Sequence, residues 1–246
     1  MQRKTMNPGR RTLLGAAGAL LAASAFPALG QGSGRKMKIG IIGSGRVGGT
    51  IGELWVKAGH EVVFSARALD EVSALLARLN LGPRARAGTP QEAAAFGEAV
   101  MVSVPYAALP QIGKDNAAEL KGKVVLDTSN PIENRDGAMA AEMRAKGTGV
   151  ASAELLPGVR LVRAFNCVGW NSMRTEAHRT GEKLAIPIAA DDQAALKLAI
   201  GLVQDAGFEP VVVGGLARAK EFDVGTPIFG KAVTAKELRS MLGISS

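Results

Sequence analysis

The stretch KIGIIGSGRVGGTIGELWVKAGHEVVFSAR, residues 38–67, decides the fold. It opens on a short apolar run, KIGII, and breaks into Gly43-Ser44-Gly45-Arg46-Val47-Gly48, a G-x-G-x-x-G pattern. An amphipathic run, TIGELWVKAGH, closes at Gly59, and a second apolar run, EVVF, follows. Strand, glycine turn, helix and strand make a βαβ unit with the turn at the helix N-terminus. The three glycines serve different ends. Gly43 permits the tight turn, Gly45 lets a pyrophosphate approach the backbone, and Gly48 lets the helix pack close to the strand. Ser44, Arg46 and Val47 lie where a helix N-terminus offers free N–H groups and positive potential to phosphates.

The second strand ends in Ser65-Ala66-Arg67. A unit built for NAD carries a carboxylate there, accepting a bond from the ribose 2′-hydroxyl. A 2′-phosphate would be repelled by that carboxylate and needs a cation instead, and the planar fork of Arg67 supplies one. Arg67 is therefore expected to hold the 2′-phosphate, with Ser65 among the cofactor-binding residues beside it, which selects NADP(H) over NAD(H). The competing reading makes Arg67 a solvated loop arginine and leaves the ribose to Asp70.

Outward from this unit, ALDEVSALLARLN reads as a second helix. Further strands are expected near 85–87, 99–104, 123–127, 160–165, 183–190 and 209–214, with helical segments between them. DDQAALKLAIGLVQDAG is a helix with Asp191 as its cap and Gly207 as its stop. The tail after Ala219 reads as a loop containing Pro227, then a short helix, TAKELRSML. Strands alternating with helices predict an α/β fold. The expected fold is a Rossmann-type doubly wound, mostly parallel sheet with a small C-terminal α/β extension on the same sheet. The boundaries read as an export signal at 1–30, a linker at 31–36, the NADP-binding domain at 37–166 and the extension at 167–246.

Residues 1–30 are of different material, with a basic start, an Ala/Leu-rich run and small residues at Ala28-Leu29-Gly30. Arg10-Arg11-Thr12-Leu13-Leu14 resembles the twin-arginine export signal, although Gly15 stands where a lysine is common. The alternatives are an ordinary secretory signal or an uncleaved anchor; the glycines and Pro27 oppose the anchor. The expected location is periplasmic or secreted, with membrane contact only during export.

The formal charge of +8 falls to +4 once Arg3, Lys4, Arg10 and Arg11 are set aside, leaving 26 basic against 22 acidic residues. Those charges are interspersed, and basic runs with interleaved aromatics are missing, so a nucleic-acid partner is not expected. The single Cys167, with only His60 and His178 beside it, provides too few ligands for a Cys/His metal site. Cys167 reads as a buried small hydrophobe, His60 as surface structure, His178 as polar loop and Asp127 as a brace for its loop. Tyr106 is left between stacking on a cofactor ring and packing on the helix that follows.

The run at 38–67 resembles the start of the F420-dependent NADP reductases and the wider NADP oxidoreductase family named for that coenzyme. The likeness continues at SVPYAAL (103–109), VVLDTSNP (124–131), VRAFNCVG (162–169) and EPVVVGGLARAK (209–220). It implies one Rossmann domain with a small covering extension, and hydride transfer between NADPH and F420 or a flavin-like acceptor. Carried over, Ser44, Gly45, Arg46 and Val47 hold the pyrophosphate, and Ala66 and Arg67 the 2′-phosphate. Val104 and Pro105 flank the cofactor. Asn130 and Pro131 lie near the nicotinamide end, with Phe165 and Asn166 further along. Where the family has Gly-Ser-Arg this chain has Ser65-Ala66-Arg67, and Tyr106 replaces a common tryptophan. The tail after Lys220 departs most, so cofactor choice carries over better than acceptor identity. A homodimer is a further implication of the resemblance.

Transfer between two stacked rings requires positioning and no side-chain acid or base, so no catalytic residue is expected. Two other functions stay open. One is a reductase of another small substrate, although such families append a large helical domain. The other is a non-catalytic NADP-binding module in the periplasm.

Overall fold

The computed structural model describes residues 34–245. The expected export signal at 1–30 and residues 31–33 of the expected linker lie outside the described residues. The strands are β1 Lys38–Ile42, β2 Glu61–Ser65, β3 Ala85–Gly88, β4 Ala99–Val102, β5 Val124–Asp127, β6 Arg160–Arg163, β7 Ala185–Ala190 and β8 Glu209–Gly214. They form one sheet in the order β3-β2-β1-β4-β5-β6-β7-β8. Every neighbouring pair is parallel except β6 and β7. The helices of the first half are α1 Arg46–Lys57, α2 Leu69–Leu79, α3 Pro90–Phe96, α4 Leu109–Asp115 and α5 Ala117–Leu120. Those of the second half are α6 Glu133–Asp136, α7 Met139–Lys146, α8 Thr148–Leu155, α9 Trp170–Glu176, α10 Gln193–Asp205 and α11 Ala235–Leu242.

The central strands are apolar throughout because both faces are covered. Ile39 and Ile41 of β1, Val62 and Phe64 of β2, and Met101 of β4 share one core with Ile51 and Trp55 of α1 and Leu202 of α10. Their neighbours Ile42, Val63, Val100 and Val102 point the other way, into a core with Ala93, Leu109 and Ala151. A third cluster seats the tail, packing Phe222, Ile228 and Leu238 against Ala185, Ala189 and Val211 of β7 and β8. The indole N–H of Trp55 donates to Leu202 O at 2.8 Å, tying α1 to α10.

Several local expectations are corrected. The cap of α10 is Asp192, which accepts from Ala195 N at 2.8 Å; Asp191 instead accepts from Leu216 N and braces the tail. Strand β6 stops at Arg163 because Phe165 enters the left-handed region at φ +61°. That conformation is uncommon for a bulky side chain. Edge-to-face contacts with Trp55 and Phe208, at 6.0 and 6.2 Å between centroids, hold Phe165 in place.

His60 is fully buried, not on the surface. Its Nδ1 accepts from Met37 N, and its Nε2 lies 3.1 Å from an Asp205 oxygen, a partner far away in sequence. Burial lowers the imidazole below its ordinary value of 6.5, and the opposing pull of Asp205 does not overcome it. Below pH 6.5 the unfolded chain therefore takes up a proton that the native state refuses, so stability falls as pH falls. Urea midpoints measured from about pH 7.5 down to about pH 5 should decline, and His60→Asn should show a shallower decline. Equal slopes would remove His60 as the source of the decline.

Candidate functional site

The strand order reverses between β1 and β4, which makes the crevice beyond their C-terminal ends the place where α/β sheets take ligands. The glycine turn sits at this point. Gly43 and Ser44 donate their N–H groups to Ser65 O at 2.9 and 2.8 Å, and Ser44 Oγ donates to the same oxygen at 3.0 Å. One carbonyl of β2 thus shapes the turn. Gly43 has φ +98°, and a Cβ there would lie 2.2 Å from Ser103 O at the end of β4. A Cβ on Gly48 would lie 2.1 Å from Gly43 O. Both residues are required to be glycine by the protein's own packing. Gly45 is different: a Cβ added there would meet nothing within 4 Å.

Gly45 is also the N-cap of α1, without a side-chain cap and without an acidic residue in the first turn. The first N–H groups of a helix lack partners within it. Here they face the space above Gly45, together with the positive end of the helix dipole. The hydroxyls nearby are already committed, Ser44 Oγ to Ser65 O and Thr50 Oγ1 to Arg46 O at 2.7 Å. Val47 packs on the core beside the turn.

At the end of β2, Ser65 departs from its expected role. Its hydroxyl is buried and donates to Ile41 O at 2.7 Å, so it acts through its carbonyl on the turn and not as a donor to a ligand. Ala66 packs on the core, and Arg67 is exposed. No hydrogen bond or ion pair among the described residues ties its guanidinium. An exposed cation therefore stands where a carboxylate would serve NAD.

The opposite wall comes from β4, β5 and β6. Val104 adjoins the turn, since a Cβ on Gly43 would lie 2.9 Å from its Cγ1, and Pro105 is exposed beside it. Tyr106 is buried with its hydroxyl 2.9 Å from Ser152 Oγ, and burial pushes the phenol up to about 12. That selects the packing role over stacking on a cofactor. Beyond β5, Asn130 Nδ2 donates to Asn166 O at 2.8 Å, joining two loops, and Pro131 is buried. Asn166 Oδ1 and Ser129 Oγ are buried without partners among the described residues, leaving polar atoms at this end of the crevice. Cys167 is buried, its thiol pushed up to about 12 by burial, and is inert packing beside them.

Three groups went unrecognised in the sequence. Asp136 accepts from Ala107 N, Ile132 N and the Arg135 guanidinium, locking together the loops after β4 and β5. Burial raises its carboxyl, but these bonds outweigh it and hold the group below the ordinary carboxylate value. Arg163, fully buried, donates through Nη1 to Asp127 Oδ2 at 2.6 Å, to Ser129 O at 2.9 Å and to Asp127 O at 3.1 Å. Its Nη2 lies 3.6 Å from Asp223, which accepts from Thr148 N and Oγ1. Asp127 also accepts from Ser129 N, so it braces its loop as expected, with a charge partner that the sequence does not reveal. The third group, Trp170 and Arg174 of α9, lines a cleft of about 870 Å³ with Gly45 and Arg46.

Sheet order, glycine turn and switch-point crevice define a Rossmann-type α/β protein. Residues 38–131 match the family described as NADP oxidoreductase, coenzyme F420-dependent. Among solved structures the chain is similar to a hypothetical protein of Sinorhizobium meliloti, with TM-score 0.72 and 21% identity over 81% of this chain and 96% of that one. It is similar to a proposed F420-dependent NADP reductase from Arthrobacter sp. FB24, with TM-score 0.65 and 20% identity over 80% and 99%. An imine reductase from Myxococcus stipitatus in complex with NADP+ matches at TM-score 0.55 and 18% identity, over 83% of this chain and 59% of that one. At these identities the likenesses establish the fold.

Proposed function

We propose that the protein is an NADP(H)-dependent oxidoreductase which transfers hydride between NADPH and F420 or a flavin-like acceptor. The observation that carries the reading is Gly45. Of the three motif glycines it alone has open space where a side chain would stand, against an uncapped helix N-terminus. The cradle fits a diphosphate. The family match of residues 38–131 supports the NADP oxidoreductase class, and the name of the Arthrobacter relative supports F420 as acceptor.

When bound, NADP(H) would supply the hydride. Ser44, Gly45, Arg46 and Val47 would hold the pyrophosphate, with Gly43 and Gly48 shaping the turn. Arg67 would hold the 2′-phosphate beside Ala66. Val104, Pro105, Asn130, Pro131 and Asn166 would line the crevice toward the nicotinamide, where they orient the ring and exclude water. The twin-arginine-type segment at 1–30 supports a reaction site outside the cytoplasm.

Arg67 provides the test. Arg67→Ala should weaken NADPH binding by about 1–3 kcal/mol, the strength of charge-assisted hydrogen bonds, and leave NADH binding nearly unchanged. Calorimetric titration with both nucleotides reads this directly. Equal losses for the two would remove Arg67 from the 2′-phosphate.

A further inference from the structure

The cleft beside the glycine turn holds an arrangement that neither the turn nor the fold requires. Arg46, the first residue of α1, lies over the ring of Trp170 with its Cζ 5.5 Å from the ring centroid. Arg174, one turn along α9, lies over the same ring at 5.7 Å. Two like charges are thus gathered on one indole. Cation–π attraction holds each guanidinium on the ring despite their like charge. Neither guanidinium makes a hydrogen bond or ion pair among the described residues. The carboxylates lining the cleft are Glu53, paired with Lys57, and Glu71 on α2. Its walls from the turn and α9 (Ser44, Gly45, Arg46, Trp170 and Arg174) carry none. A pair of cations with no ion-pair partner among the described residues, opening on the space above Gly45, has the chemistry of an anion clamp.

We infer that Arg174, held in place by Trp170, is a second cation on the diphosphate of the dinucleotide, reaching it from the C-terminal half of the chain. This rests on the nucleotide site proposed above and adds a residue beyond the matched segment 38–131. The helix N-terminus offers main-chain donors to the diphosphate, and the two guanidinium planes offer charge-assisted bonds on its solvent side. The indole fixes both planes in advance, so less side-chain freedom is lost on binding.

The diphosphate is common to NADPH and NADH, whereas the 2′-phosphate belongs to NADPH alone. Arg174→Ala should therefore raise the Kd of both nucleotides by the same factor, about tenfold, with Arg174→Lys in between. Arg67→Ala, measured alongside, should affect NADPH only. Arg174 is exposed, so the thermal midpoint should be unchanged. If the unaltered protein binds nucleotide and Arg174→Ala binds both equally well, or loses NADPH alone, the clamp is overturned while the nucleotide site stands. If the unaltered protein binds neither, the proposed function falls and the clamp falls with it.

Discussion

Asp127→Asn is expected to lower the free energy of unfolding by about 3–5 kcal/mol, the usual consequence of removing one partner from a buried ion pair. Asp127 and Arg163 are both fully buried, with Nη1 of the arginine 2.6 Å from the carboxylate. An asparagine could still accept from Ser129 N through one oxygen. Its amide would then face the guanidinium as donor against donor, and Arg163 would lose its main counter-charge. Asp223, at 3.6 Å, is already held by Thr148 N and Oγ1 and would compensate only in part. Denaturant titration should show a lower midpoint at an unchanged slope. Adding Arg163→Met should recover part of the loss, because the stranded charge is removed with its partner. A cost below about 1 kcal/mol for the single change would show that the pair is solvated in solution.

The second large effect separates two glycines of one motif. Gly45→Ala should leave the unfolding midpoint nearly unchanged, since beyond its own chain neighbours the new methyl group meets nothing within 4 Å and the φ of −69° is ordinary. It should weaken NADPH binding by about 1–3 kcal/mol, as an extra methyl does in a filled site. Gly48→Ala should do the reverse. Its methyl would sit 2.1 Å from Gly43 O, and backbone cannot rotate away as a side chain can. The expected loss is about 3 kcal/mol or more of stability, with binding impaired only through the fold. Midpoints and nucleotide affinities measured on both variants give the crossed pattern. If Gly45→Ala bound NADPH normally, the cradle would not be the phosphate site.

Much of this was legible because it is local. The glycine turn, the alternation of strand and helix, and the arginine at the end of β2 depend on residues close in sequence, and the structure has each where the chain places it. Side-chain direction was less legible. Ser65 reads as a cofactor-binding residue, but the period of the strand turns its hydroxyl inward to Ile41 O. The neighbours Asp191 and Asp192 are equally good helix caps by composition, and only the chain path shows which one meets Ala195 N. Long-range partners were not legible at all. His60 is buried because Asp205 arrives from the end of α10, and Arg163 because Asp127 and Asp223 close on it from β5 and the tail. Trp170 and Arg174 reach the glycine turn only because α9 packs beside α1.

The central claim is hydride transfer from a nucleotide held in this crevice. The direct measurement mixes the protein anaerobically with NADPH and F420, with flavins as parallel acceptors, and follows the visible spectrum of each acceptor. The expected result is that an acceptor is reduced as NADPH is consumed, and that Gly45→Ala is slower at limiting NADPH. NADPH that binds tightly while every acceptor stays oxidised would contradict the claim and leave a nucleotide-binding module in its place.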